Sequence, residues 1–381
     1  MKIVEPIYLD YNASTPIAPE VKQAMLPFLT DHYGNPSALH FAGVEAKAAV
    51  EFAREQVATL LHAKPMEIMF TSGGSESNNY VLKGVAETLK EKGNHIITSK
   101  IEHPAILHPC RYLEKHGIQV SYVDVDEYGR VNPTDIENEI TDKTILISVM
   151  HSNNEVGTIQ PIEEISKIAK RHHVLFHTDA SQSIGKVEVD VQQLGVDFLT
   201  VAGHKLYAPK GIGALYIREG IEIESLIHGA GHEIGRRAGT ENVLLTVGLG
   251  QACEIVNHIE KESKRLHEVT KLFWEGLKKQ FNERIQLQGH PTNRLPNTLN
   301  VAFVGTQGQE ILNQVPEIAA STGSACHAGV VDLSPVLKAM GVTEQVGMGA
   351  VRFSVGRYTT ENEITRALEL LKNVKLSQKS I

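Results

Sequence analysis

Cysteine is scarce in this sequence: three thiols, Cys110, Cys253 and Cys326, in 381 residues. So few cannot make a disulfide framework, and no pair stands at zinc-ligand spacing. A lone cysteine persists as a thiol in a reducing compartment, so the cytoplasm is the expected location. No uninterrupted apolar run reaches the length of a membrane span, and residues 1–6 lack the apolar core of a signal peptide. An excess of positive charge is missing too. Lys and Arg total 37 against 45 Asp and Glu, for a net charge of -8. The negative residues are dispersed, which argues against a nucleic-acid footprint. Internal repeats, low-complexity tracts and proline-rich linkers are absent as well.

What is present is ordinary globular text, 41% hydrophobic and 22% charged. The length suggests two or three domains. From Ile68 to Ile217 short apolar runs alternate with segments of helical period: Ile68–Phe70, then a helix over 75–90; Ile96–Thr98, then 105–115; Val120–Val123, then 133–140. Thr144–Val149, Val174–His177, Asp197–Val201 and Ala214–Ile217 continue the series of strands. Strands spaced this way predict right-handed crossovers and an α/β fold, a mostly parallel central sheet flanked by helices. After about Gly229 the texture changes. Residues 241–278 read as a connecting helix followed by a second one, 296–303 and 351–354 are strand-like, and 361–376 closes the chain as a helix. The expected division is a large α/β domain over 14–255 and a smaller α+β domain from 1–13 and 256–381.

Ligands of such sheets bind beyond the carboxyl ends of the strands, and the polar clusters fall at that boundary. Thr71-Ser72-Gly73-Gly74-Ser75 leaves a strand and opens a helix. Its glycines admit an anion to backbone N–H groups at a helix N-terminus, although a plain N-cap has the same look. His103 follows the next strand, and Asn154 follows the strand ending at Val149. Asp179, at the end of an apolar strand, is too costly to bury unpaired, so it needs a cation or several donors. Gln182 follows in the same loop. Gly203-His204-Lys205 ends the strand Asp197–Val201. A partly desolvated lysine there has a lowered pKa and condenses with a carbonyl, while a surface lysine in a turn is the plainer alternative. Lysine, aspartate and phosphate cradle together are what pyridoxal 5'-phosphate requires: an imine partner, an anion for the pyridinium nitrogen and an anion site.

Ten ordered motifs then carry a resemblance. They include Leu9-Asp10-Tyr11-Asn12-Ala13, Thr71-Ser72-Gly73-Gly74, Glu102-His103, Asn153-Asn154-Glu155, Asp179-Ala180, Gly203-His204-Lys205, Gly239-Thr240, Gly323-Ser324-Ala325-Cys326 and Arg352-Phe353-Ser354. The chain resembles cysteine desulfurases of the NifS/IscS kind, class V aminotransferase-like enzymes of PLP fold type I, and the related selenocysteine lyases. The resemblance implies that Lys205 bonds the cofactor and moves protons at the substrate Cα, with Asp179 on the ring nitrogen. Gln182 and Asn154 act near the ring oxygen and the substrate. His103 stacks on the ring and assists proton transfer. Gly74, Ser75 and His204 hold the phosphate, with Thr240 reaching it from a second subunit, and Arg352 clamps the substrate carboxylate. Ser75 stands where the family often has Thr. Ala202 stands where it often has Ser, which removes one phosphate donor.

Cys326 sits in a small-residue stretch, Ser321 to Gly329, whose composition favours exposure, mobility and thiolate chemistry. Cys110 and Cys253, on helices, read as packing residues. The expected activity is conversion of L-cysteine to L-alanine, with sulfur received on Cys326 as a persulfide for an acceptor protein. Release of selenium from L-selenocysteine is the alternative. Another class V aminotransferase or lyase and a non-catalytic persulfide carrier are further ones. A homodimer is expected, with no nucleic-acid or membrane partner.

Overall fold

The structure, a computed structural model, describes residues 5–322, 325–327 and 330–376. The side chains of 325–327, 330 and 331 lie outside the described set. The chain opens with the short strand β1 (Ile7–Tyr8). It then builds a seven-stranded sheet from β2 (Ile68–Thr71), β3 (His95–Ser99), β4 (Gln119–Val123), β5 (Thr144–Ser148), β6 (Leu175–Asp179), β7 (Phe198–Ala202) and β8 (Gly213–Ile217). The spatial order is β2-β8-β7-β6-β5-β3-β4. Every neighbouring pair is parallel except those made by β8, which runs against both β2 and β7.

Both faces of this sheet are covered, which is why its strands read as unbroken apolar runs. Successive residues feed opposite cores. Phe198 packs with the helices Gly74–Thr88 and Pro104–Glu114. Leu199 and Val201 pack with Phe41–Leu61, Ile162–Arg171 and Val243–Ile255. Each large side chain buried this way contributes roughly 1.5–3 kcal/mol. Cys110 and Cys253 are buried in these two cores, as their helical surroundings implied.

The rest of the chain forms a four-stranded antiparallel sheet, β12-β15-β10-β9. Its members are β9 (Ile285–Gln288), β10 (Thr298–Phe303), β12 (Ser321–Thr322) and β15 (Ala350–Ser354), with β11 (Ile318–Ala319) just ahead of β12. The helices Ile259–Phe281 and Glu361–Leu371 pack on it through Phe273, Leu277, Ile364 and Leu371. Ile7 and Leu9 join that core, and β1 pairs in parallel with β11. The stretch containing Cys326 forms a hairpin backbone, β13 (Ala325–His327) against β14 (Val330–Asp332), with Cys326 opposite Val331.

Before the large sheet, a helix over Pro19–Met25 stops and a short one restarts at Pro27, because proline has no N–H to continue the ladder. The helical stretch after Glu241 divides into two helices between Ile255 and Ile259, as read from the sequence. Strand β9 follows the second helix with a mixed, half-exposed pattern that periodicity does not single out.

Candidate active site

Five parallel strands end on one edge of the large sheet, and the loops beyond them line a cavity of about 400 Å³. The cavity collects Gly74 and Ser75 after β2, His103 after β3, Asn154 after β5, Asp179 and Gln182 at the end of β6, and His204 and Lys205 after β7. Arg352 enters from β15, and Asn12 and Ala13 from the N-terminal segment. Of the residues singled out in the sequence, Thr240 stands elsewhere. It is exposed beside Gly239, in a separate recess lined also by Phe70, Glu233 and Arg237. Cys326 is placed only through its backbone on β13, and its side chain lies outside the described residues.

The two wall residues that set the charge of the site are Asp179 and Lys205. Asp179 is buried, and its carboxylate accepts from Asn78 Nδ2 at 2.7 Å and from the N–H of Ser181 at 2.9 Å. Those two donors meet the demand that burial creates, while Asn78 Oδ1 stays buried and unpartnered beside them. Lys205 donates from Nζ to the main-chain oxygens of Asn12 (2.6 Å) and Ala13 (2.9 Å). Burial first, then repulsion from Arg352, lowers its pKa to about 8, against the opposing pull of Asp179 and Asp10. Lys205 thus stands partly buried on the cavity wall beside Arg352.

Arg352 is held in a plane by two acceptors. Nη2 donates to Asp10 Oδ1 at 2.7 Å and Nη1 to the carbonyl of Asn154 at 3.0 Å. Its Nε is buried with no partner. Asp10 in turn accepts from Ser321 Oγ at 2.8 Å. His103 caps the helix Pro104–Glu114, its Nδ1 accepting from the N–H of Ala105 at 3.1 Å. Its pKa is lowered, mostly by the protein packed around the ring. The adjacent Glu102 is fully buried and accepts from Ser99 Oγ (2.6 Å) and the N–H of Met150 (3.0 Å). Burial pushes its pKa up to about 8. His204 is half-buried, and desolvation with the nearby Lys205 lowers its pKa to about 4.

These residues fit pyridoxal phosphate. The helix Gly74–Thr88 starts at Gly73 with no side-chain cap, so its first N–H groups are offered at the cavity floor. A Cβ on Gly74 would come within 3.1 Å of Ser181 Oγ and 3.3 Å of Ala202 Cβ, filling the space an anion needs. The desolvated amine, the buried carboxylate and the unpartnered Nε of Arg352 supply the carbonyl, ring-nitrogen and carboxylate partners.

Sequence reading gave no role to Asn78, the last residue of the Thr71–Asn78 cluster, nor to Asp10 and Asn12, which stand in another quoted motif. Asn78 had a usable signal. It lies three residues past Ser75 on the helix that opens at Gly74, which turns it to the same face as the phosphate cradle. Asp10 had none, because its partner Arg352 is 342 residues away.

Comparison with known proteins matches the chain and its fold to named relatives. The family model for class-V aminotransferases covers residues 7–367. "Cysteine desulfurase IscS" of Dictyoglomus turgidum is 47% identical over 371 residues, 97% of this chain and 94% of that protein. The protein of the same name from Methanosarcina thermophila is 47% identical, covering 97% of this chain and 91% of its own. Among solved structures, a "NifS-like protein" superposes with a TM-score of 0.91 at 38% identity, covering 96% of this chain and 98% of that one. A structure described as "SspA in complex with cysteine" superposes at 0.83 and 39% identity, covering 93% of this chain and 100% of that one. With a family model spanning nearly its whole length and relatives this close, the chain belongs to the class-V aminotransferases and, among them, to the cysteine desulfurases of the NifS/IscS kind.

Proposed function

We infer that this chain is a pyridoxal phosphate-dependent cysteine desulfurase that converts L-cysteine to L-alanine. The observation that carries the reading is one cavity holding a desolvated lysine, a doubly hydrogen-bonded buried aspartate and an arginine with a free N–H. Of the two substrates left open by the sequence, sulfur is the one in the relatives' names, and one solved relative is described as bound to cysteine.

The bound cofactor supplies an electrophilic aldehyde carbon and a cationic ring able to take up an electron pair from the substrate Cα. The protein's residues do the rest. Lys205, neutral above about pH 8, provides the nucleophilic amine and then carries the proton removed from Cα. Asp179 keeps a proton on the ring nitrogen, and Asn78 and the N–H of Ser181 keep Asp179 in place. Gly74, Ser75 and His204 hold the phosphate. Arg352 and Asn154 orient the substrate carboxylate, and His103 assists proton movement. The Cys326 thiolate takes the substrate sulfur: its Sγ forms the S–S bond, the substrate's Cβ–S bond breaks, and a proton completes alanine. The persulfide then passes to an acceptor protein.

Two further parts of the reading concern assembly and layout. The chain acts as a homodimer, supported by Leu29, Leu39, Phe41, Val44 and Phe52, which expose large apolar surface close together in sequence. In that dimer Thr240, which does not line its own chain's cavity, completes the phosphate site of the partner. The division into 14–255 and 1–13 with 256–381 is supported by a main core on each sheet, with a smaller core of Ile101, Met150, Ala302 and Leu337 joining the two parts. Among the described residues no helix is long and apolar enough to cross a membrane, and a cytoplasmic location accords with the free thiols Cys110 and Cys253.

Borohydride reduction followed by peptide mass mapping tests the reading. The pyridoxyl label is expected on Lys205, with alanine formed from cysteine by the unreduced protein. A label on another lysine, or none, overturns it.

A further inference from the structure

Behind the cavity wall, in the turn that follows Asp179, lies a buried lysine that the proposed chemistry does not use. Lys186 directs Nζ to one residue, donating to the main-chain oxygen of Gln182 at 2.8 Å and to its Oε1 at 3.1 Å. Among the described residues no carboxylate offsets its charge. The charges that act on it are those of Lys205 and Arg352, and with burial they lower its pKa to about 7. A buried cation facing two others is unfavourable, and an apolar side chain of similar length would fill the space at less cost. What Lys186 contributes in return is its hydrogen bonds.

They determine which way the Gln182 amide faces. When protonated, Lys186 only donates, so the atom it then meets is the oxygen Oε1. A carbonyl only accepts, so the atom 3.0 Å from the main-chain oxygen of Asn12 is the nitrogen Nε2. The Asn12 carbonyl imposes that orientation at any pH, and protonated Lys186 reinforces it from the other side. Gln182 lines the cavity, and Nε2 keeps a second hydrogen after serving Asn12. That carbonyl of Asn12 also accepts from Lys205 Nζ. Lys186, Gln182, Asn12 and Lys205 thus form one hydrogen-bonded row ending at the reactive amine.

We propose that Lys186 is a positioning residue, holding Gln182 with its N–H toward an anionic ring oxygen and thereby setting the proton equilibrium of the lysine–cofactor linkage. This rests on the pyridoxal phosphate reading. When the linkage loses its proton, negative charge gathers on the ring oxygen. A donor held fixed in this way favours that form and lowers the pH at which it appears.

The test is a pH titration of the visible band of the holoenzyme. Lys186→Met is expected to raise the midpoint by about one unit. In a Gln182→Leu background the same change is expected to add nothing, because Lys186 acts through that amide. Should Lys186→Met not fold, Lys186→Gln, which keeps a donor and loses the charge, is expected to move the midpoint upward by less. A band with an unmoved midpoint, or shifts that add in the double variant, overturns the proposal. A parent protein with no visible band after cofactor addition removes the cofactor reading itself, so the two failures are distinguishable.

Discussion

Arg352 and Asp10 meet at 2.7 Å, a guanidinium on β15 held by a carboxylate two residues beyond β1. Both are largely buried, so the pair is stronger than a surface ion pair. With the Asn154 carbonyl, Asp10 fixes the plane of the fork and leaves Nε–H for a ligand. Replacing Arg352 with Lys keeps the charge and loses the fork. The KM for cysteine is expected to rise about tenfold or more, the equivalent of one lost charge-assisted hydrogen bond. Asp10→Asn is expected to raise KM by less, with kcat changed little. Steady-state alanine formation checks both, and an unchanged KM in Arg352→Lys would remove the arginine from the substrate site.

The lowered pKa of Lys205 makes a prediction about pH. An amine with its pKa at about 8 instead of 10.5 is neutral above pH 8. Capture of the cofactor by apo-protein should therefore accelerate as pH rises toward 8 and level off above it. The same shift means that unfolded chains bind the extra proton between pH 8 and 10.5, so this group's contribution to apo-protein stability increases with pH across that window. Stopped-flow absorbance gives the capture profile. A rate still climbing at pH 10 would show that the amine is not desolvated.

Asp179→Asn removes the negative charge and keeps the shape. A loss of kcat on the order of 10²–10³ is expected, with the cofactor still bound. Asn78→Ala, which strips Asp179 of one buried donor, is expected to cost about tenfold in kcat. Equal losses in the two variants would contradict the ordering of charge over support.

The three thiols should separate cleanly. Cys326→Ala is expected to abolish persulfide formation from cysteine while the visible spectrum stays intact. Cys110→Ala and Cys253→Ala are expected to keep turnover, since burial pushes the Cys110 thiol up to about 12 and raises that of Cys253 as well. Mass spectrometry of protein quenched after cysteine addition reads this directly. A persulfide on Cys110 or Cys253 would move the sulfur site.

Much of the site was legible because its residues follow strands. The clusters Gly74-Ser75, Asp179–Gln182 and His204-Lys205 each lie just past a run of buried apolar residues, and parallel pairing brings such ends to one edge. Cys110 and Cys253 were readable for a related reason, because a thiol within an apolar helical period faces a core. The paired short strands β1 and β11 were not, since two residues carry no period to detect.

By itself the sequence determined the order of strands and helices, the covered faces of the sheet and the residue types gathered at its edge, because burial imposes periodicity along the chain. Only the tertiary structure decided how those residues are held. It chose Asp10 for Arg352, Asn78 for Asp179, and Lys186 for the orientation of Gln182. Hydrogen bonds between segments depend on distance in space, and a buried polar group takes whichever partner the fold delivers; Asp10 and Arg352, 342 positions apart, leave no local pattern by which to find each other.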